Sequence, residues 1–272
     1  MKILFFCPIW GNADIPITEF VSKVKNAGYD GVELSLSLDS TEREKVISAI
    51  KNADLLYIGQ HWETVTINFE EHKKAYIHRL YNLAMGNPIL IDSQTGIDFF
   101  SFEQNMELVN AASAFTSDTG IPVVHETHRG KFTFAAHITE QFLEANPDLR
   151  IGADFSHWCN VAESLLENQE DTLNLAITRA DHIHARVGFQ EGPQIPDPRA
   201  PEWKDVVEKH ISWWERILQR AKHEHREYFT ISSEFGPYPY MTILPYTKEP
   251  IADQWELNFY MMNMLKERFH GF

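Results

Sequence analysis

Residues 150–188 read RIGADFSHWCNVAESLLENQEDTLNLAITRADHIHARVG. Two short apolar runs, Arg150–Asp154 and His182–Val187, bracket an amphipathic stretch over Val161–Thr178. Near-continuous apolar runs of this length suit parallel strands covered on both faces, and parallel strands need a long crossover, usually a helix. The same unit recurs outward in both directions. Strands are predicted at Lys2–Cys7, Gly31–Leu36, Leu55–Gln60, Pro88–Asp92 and Pro122–Glu126 before it, and at Tyr228–Glu234 after it. Helices are predicted at Ile17–Ala27, Thr41–Ala53, Phe69–Met85, Phe102–Ser117, Ala135–Ala145, Trp203–His223 and Ile251–Phe269. With the opening unit this makes eight strands alternating with eight helices, the order of a (β/α)₈ TIM barrel in the α/β class, with residues 1–272 as one domain. A doubly wound open sheet is the alternative, but it normally carries a GxGxxG or GxxxxGK[ST] phosphate loop, and the sequence contains neither.

Composition narrows the functional classes. The 272 residues are 43% apolar and include 18 Phe, 7 Trp and 9 Tyr, which supports a large core and excludes disorder. Lys plus Arg number 24 and Asp plus Glu 39, a net charge of −15 that repels a phosphate backbone; no basic cluster overrides it, so no nucleic-acid partner is expected. The first residues, MKILFFCPIW, place a lysine before an apolar run, yet the run breaks at Pro8 and Gly11 and meets Asp14, so it reads as a buried strand rather than a secretory signal. No run approaches the ~18 apolar residues of a membrane span. Cys7 and Cys159 are too few for a disulfide framework. The expectation is a soluble, cytoplasmic protein with no membrane partner.

In a barrel, chemistry sits at the C-terminal ends of the strands. Four successive strands end in metal-competent or acid–base residues. Strand five ends VVHETHRG with Glu126 and His128, strand six GADFSHW with Asp154 and His157, strand seven DHIHARVG with His182, His184 and Arg186, and strand eight TISSEFG with Glu234. Strand period two puts Val124, Glu126 and His128 on one face, His182, His184 and Arg186 on another, and Thr230, Ser232 and Glu234 on a third. That parity is consistent with Glu126, His184 and Glu234 pointing into the barrel mouth, with Asp154 as a fourth member. Two Glu, one Asp and one His form a hard, oxygen-rich set that suits Mn²⁺, Mg²⁺ or Co²⁺ and can hold Zn²⁺. Three carboxylates this close repel unless some protonate or a cation compensates them. Any one of them alone reads as an ordinary strand-end ion pair; four on consecutive strands read as a metal site.

These motifs, HETH, ADFSHW, HIHA and SSEFG, resemble those of the xylose isomerase-like TIM-barrel superfamily, the sugar phosphate isomerase/epimerase group. The resemblance implies one divalent ion held by Glu126, Asp154, His184 and Glu234, substrate contact by His157, and, as in the ketose-epimerase branch, proton exchange with substrate by Glu126 and Glu234. The sequence departs from that branch after strand seven, where ARVGFQEG replaces its short acidic motif and leaves Arg186 or Glu191 as the candidates for those functions. The Asp-rich second metal site of true xylose isomerases has no match, so one metal ion is expected.

The reaction the resemblance implies is isomerisation or epimerisation of a small sugar or keto-polyol. A proton leaves the carbon next to a carbonyl, a divalent cation stabilises the enediolate, and two carboxylates act as base and acid. Arg186, His157, His61, Gln94 and His128 are the substrate-binding candidates. Trp10 is weighed as rim packing or sugar platform, Glu33 as a buried ion-pair partner or mouth residue, and His182 as a deeper histidine. The proline-rich stretch Gly188–Pro201 is read as an ordered wall over the site. A keto-polyol dehydratase begins with the same proton removal; a non-catalytic sugar-binding barrel is a further alternative. A DNA phosphodiesterase, which the superfamily also hosts, wants additional His and Glu ligands and a basic groove. Trp213, Trp214 and the FYMM run Phe259–Met262 read as packing, with a homo-oligomer interface as the other use.

Overall fold

Eight parallel strands close on themselves in chain order: β1 (Lys2–Pro8), β2 (Gly31–Leu34), β3 (Leu56–His61), β4 (Leu90–Ser93), β5 (Val123–Glu126), β6 (Ile151–Ala153), β7 (Ala180–His184) and β8 (Tyr228–Ser232), with β8 returning to pair with β1. This computed structural model describes residues 1–272. The helices outside are α1 (Ile17–Asn26), α2 (Ser40–Asn52), α3 (Phe69–Ala84), α4 (Phe102–Thr119), α5 (Ala136–Ala145), α6 (Phe155–Ala162), α7 (Glu170–Arg179), α8 (Lys204–His223) and α9 (Gln254–Arg268). The (β/α)₈ barrel is therefore the architecture. No helix is long and apolar enough to cross a membrane.

Helix ends follow local chemistry. Asp39, Asn68 and Asp253 each accept the backbone N–H three residues on, capping α2, α3 and α9, and Ser101 forms a reciprocal capping box with Gln104. The Asp253 cap starts α9 at Gln254 rather than Ile251. The one substantial difference from the sequence reading lies after β6, where Val161–Thr178 is not one helix. Asp154 caps α6 directly behind the strand, and the chain then turns through Glu163 and Leu166, both at positive φ, before α7 begins. The cap won over the later periodicity, and it places His157 in the first turn of a helix.

The barrel interior is layered by the two-residue period. Leu4, Phe6, Ile58, Leu90 and Val124 form an apolar floor. One pleat further along β3, β4 and β5 stand Gln60, Asp92 and Glu126, all buried. They share the upper half with Glu33, His182, His184 and Ser232. The larger core of 58 buried residues fills the layer between strands and helices, and it contains Trp158, Trp213 and Trp214. Trp213 and Trp214 thus pack inward from α8, whereas Phe259 and Tyr260 of α9 remain exposed.

Candidate active site and metal centre

Each strand end delivers one donor. Glu126 is the last residue of β5 and His184 the last of β7. Asp154 is the cap of α6, and Glu234 lies two residues beyond β8. One ligand atom from each of these four fits within a 4.8 Å span. His184 Nδ1 is 2.9 Å from Glu234 Oε2 and 3.5 Å from Glu126 Oε1. Octahedral ligands at 2.0–2.1 Å from a cation stand about 2.9 Å apart, so the His184–Glu234 spacing matches an edge of such a shell and the His184–Glu126 spacing is wider.

Hydrogen bonding supports the same reading. Both Glu126 oxygens, Glu234 Oε2 and His184 Nδ1 are buried without a hydrogen-bond partner. Buried polar atoms are rarely left so, and four around one point call for an occupant. Gln60 donates to the other Glu234 oxygen, at 3.3 Å. Asp154 is different. Its Oδ1 accepts from the Ser156 N–H and hydroxyl, and its Oδ2 accepts from Arg186 Nη2. Arg186 also donates from Nε to Ser156 Oγ at 3.1 Å, and its Nη2 lies 2.7 Å from His157 Nε2. A guanidinium only donates, so His157 Nε2 accepts and its unpartnered Nδ1 carries the proton. A second ion on the neighbouring trio Glu126, His128 and His157 would have to displace Arg186 from that nitrogen.

Charge crowding shifts the titrations. Burial, only partly countered by Arg186, pushes Asp154 up to about 6, with Glu234 and Glu126 adding to the rise. Burial also works to raise Glu126, but His184, His128 and Arg186 outweigh it and hold that carboxyl at about 2. His184 is raised well above the usual imidazole value, because Glu234, Glu33, Asp92 and Glu126 together overcome its burial. A proton on His184 Nδ1 and a cation at that atom would compete for one lone pair. Burial pushes both free thiols, Cys7 and Cys159, upward, which keeps them protonated.

Above the cluster opens a cavity of about 320 Å³, lined by Trp10, Gln60, Trp62, Gln94, Glu126, His128, Arg186, Glu234 and Tyr240 among others. A cavity of this size accommodates a small substrate. Trp10 lies against Gly236, where a Cβ would come within 2.2 Å of the indole, so only glycine leaves room for the ring. Tyr240 meets Trp10 edge-on at 4.9 Å, and the Arg186 guanidinium lies 4.7 Å from the Tyr240 ring centre.

Of the sequence-derived substrate candidates, Gln94, His128 and Arg186 reach the cavity wall. His157 lies behind it, fully buried against Arg186. His61 is turned away: its Nδ1 is 3.0 Å from Ser93 Oγ and its Nε2 2.7 Å from Thr64 Oγ1. Gln60, on the other face of β3, takes the wall position, as the period of that strand requires. His182 lies deeper than His184, with Nδ1 2.7 Å from Thr230 Oγ1. Sequence reasoning did not single out Asp92 or Tyr240. Asp92 shares the inward parity of Leu90, so strand period could have flagged it. Tyr240 lies on the irregular segment after β8, where no period operates.

No protein-family model matches the chain, and no curated protein matches it by sequence. Solved structures do match in shape. D-allulose 3-epimerase from Methylomonas sp. aligns with a TM-score of 0.63 at 12% identity, over 98% of this chain and 98% of that one. The probable 3-DHS dehydratase AsbF of petrobactin synthesis from Bacillus anthracis aligns at 0.57 and 16%, over 98% and 100%. Endonuclease IV from Thermus thermophilus aligns at 0.60 and 12%, over 98% and 100%. The shared architecture is the (β/α)₈ barrel. At these identities the likeness is one of fold, and the three proteins carry three different chemistries.

Proposed function

We propose that the chain, read as one barrel domain over residues 1–272, is a divalent-cation-dependent isomerase or epimerase of a small sugar or keto-polyol. The observation that carries this reading is the set of unpartnered ligand atoms on Glu126, Glu234 and His184 at the floor of the cavity. Glu126, Asp154, His184 and Glu234 fit one divalent ion, Mn²⁺, Mg²⁺ or Co²⁺ by donor type, with Zn²⁺ also compatible. Such an ion supplies Lewis-acid polarisation of a carbonyl and its neighbouring hydroxyl.

The chain's own residues supply the rest. Glu126 and Glu234 come from strands β5 and β8, three positions apart round the barrel, so they reach a substrate carbon from different sides. One removes the proton next to the carbonyl and the other returns it. Gln60 fixes the Glu234 carboxylate through Oε1. Arg186, Gln94 and His128 orient substrate oxygens, and Trp10 with Tyr240 walls off water. His157 holds Arg186 in place.

A keto-polyol dehydratase would use the same proton removal and then lose a hydroxyl; the fold shared with AsbF keeps this as the second reading. The fold shared with endonuclease IV bears on phosphodiester cleavage, against which stand the net charge of −15 and His61 facing away from the cavity. The test is a metal-content assay combined with a ketose panel in deuterated solvent. Incorporation of deuterium next to the carbonyl, lost in Glu234→Gln, is the expected result, and product analysis separates epimer from dehydrated product. Full incorporation by a folded Glu234→Gln variant overturns the assignment.

A further inference from the structure

Below the proposed ion site, the far edge of the His184 ring meets a second acidic pair that the proposed chemistry does not use. His184 Nε2 is 2.9 Å from Glu33 Oε1 and 3.3 Å from Asp92 Oδ2. All three side chains are fully buried. Glu33 belongs to β2 and Asp92 to β4, so the cradle exists only because the barrel closes.

Glu33 is itself held. Its Oε2 accepts from the Ser232 hydroxyl and lies 3.6 Å from His182 Nε2. His182 is fixed in turn by Thr230. The remaining oxygen, Oε1, faces only His184 Nε2 among hydrogen-bond donors. A carboxylate accepts, so Nε2 must carry a proton, which leaves the Nδ1 lone pair aimed between Glu126 and Glu234. Asp92 stands beside this pair with both oxygens unpartnered. It has room because β6 carries Gly152 opposite it, where a Cβ would fall 2.2 Å from Asp92 Oδ1.

Resting on the metal-site reading above, we propose that Glu33 is a positioning residue. It fixes the tautomer and ring orientation of His184, so that Nδ1 is presented to a divalent cation, and Asp92 reinforces the same edge. A carboxylate behind a ligating histidine also makes the ring a stronger donor, and losing such a partner weakens metal binding by roughly 10–100-fold.

The test uses the full-length protein, Mn²⁺ calorimetry, and ¹⁵N spectroscopy of His184 in the protein loaded with diamagnetic Mg²⁺ or Zn²⁺. Glu33→Gln keeps the shape and removes the charge. The expected result is a loss of roughly 10–100-fold in Mn²⁺ affinity, with the circular dichroism of the metal-free protein unchanged. In the loaded wild type, Nε2 is expected to hold a downfield, slowly exchanging proton that moves upfield in Glu33→Gln. Asp92→Asn gives a smaller loss in the same direction. Undiminished Mn²⁺ affinity in a folded Glu33→Gln protein overturns the inference and leaves the metal site standing. Absence of Mn²⁺, Mg²⁺, Co²⁺ and Zn²⁺ binding by the wild type overturns the metal site itself. Should Glu33→Gln not fold, the wild-type spectrum decides: an ion on Nε2, or an Nε2 proton in free exchange, refutes the assignment.

Discussion

The barrel carries a charged cluster at each end, and the two are built on opposite plans. At the N-terminal end, Asp181 is ringed by arginines: Arg226 at 2.8 Å, Arg220 at 3.3 Å and Arg150 at 3.7 Å. These groups are partly exposed, and cations outnumber the acid. At the C-terminal end, Glu126, Asp154 and Glu234 are buried around His184, with Arg186 as the one arginine among them. A structural cluster satisfies itself; a cluster that leaves ligand atoms empty at the bottom of a cavity is arranged for something that arrives. Burial and charge balance differ between the two ends, and so does the number of metal-competent atoms left without a partner.

The contrast should show most strongly in turnover. Replacing Glu234 with Gln removes a proton-transfer group and lowers isomerase or epimerase turnover by about 10²–10⁴-fold, read as solvent deuterium incorporation, while the melt of the metal-free protein stays in place. If turnover survives, the upper cluster is no more chemical than the lower one.

Acid sharpens the comparison from a third place, the layer outside the strands. His125 of β5 and His210 of α8 are fully buried, and burial lowers each to about 4. The unfolded chain binds their protons near pH 6.5, so their contribution is complete above that value and disappears as pH falls towards 4, by about 3 kcal/mol each. Asp154, raised to about 6, works in the opposite sense, because the folded state binds its proton first. His125→Gln therefore flattens the stability loss between pH 7 and pH 4 in denaturant titrations; an unchanged slope contradicts a neutral, buried His125.

A divalent cation fits only the upper end. At 100 times its dissociation constant it adds about 2.7 kcal/mol to stability, a rise of roughly 5–10 °C in melting temperature that a chelator reverses. If none of Mn²⁺, Mg²⁺, Co²⁺ or Zn²⁺ shifts the melt, the donors above β5 and β8 do not form a metal site. The smallest effect belongs to the lower end. Arg226→Ala removes one of three partners from Asp181, costing about 1 kcal/mol or less, and leaves turnover untouched. A large loss of activity there would erase the distinction between the two ends.

The sequence by itself determined the alternation of strands and helices, the parity of the strands, and the strand-end residues Glu126, Asp154, His184 and Glu234. These are local properties: a two-residue period and a run of apolar side chains need no knowledge of what lies across the barrel. The capped helix Phe155–Ala162 was legible in principle, since Asp154 is a cap residue, but the amphipathic stretch behind it obscured the break. Only the tertiary structure decided that His61 meets Ser93, that Arg186 pairs with Asp154, and that Tyr240 folds back over Trp10. It alone brought Glu33 and Asp92 to His184 from strands 151 and 92 residues earlier in the chain. Those contacts depend on barrel closure, which sets the distance between residues remote in sequence, and no local pattern encodes that distance.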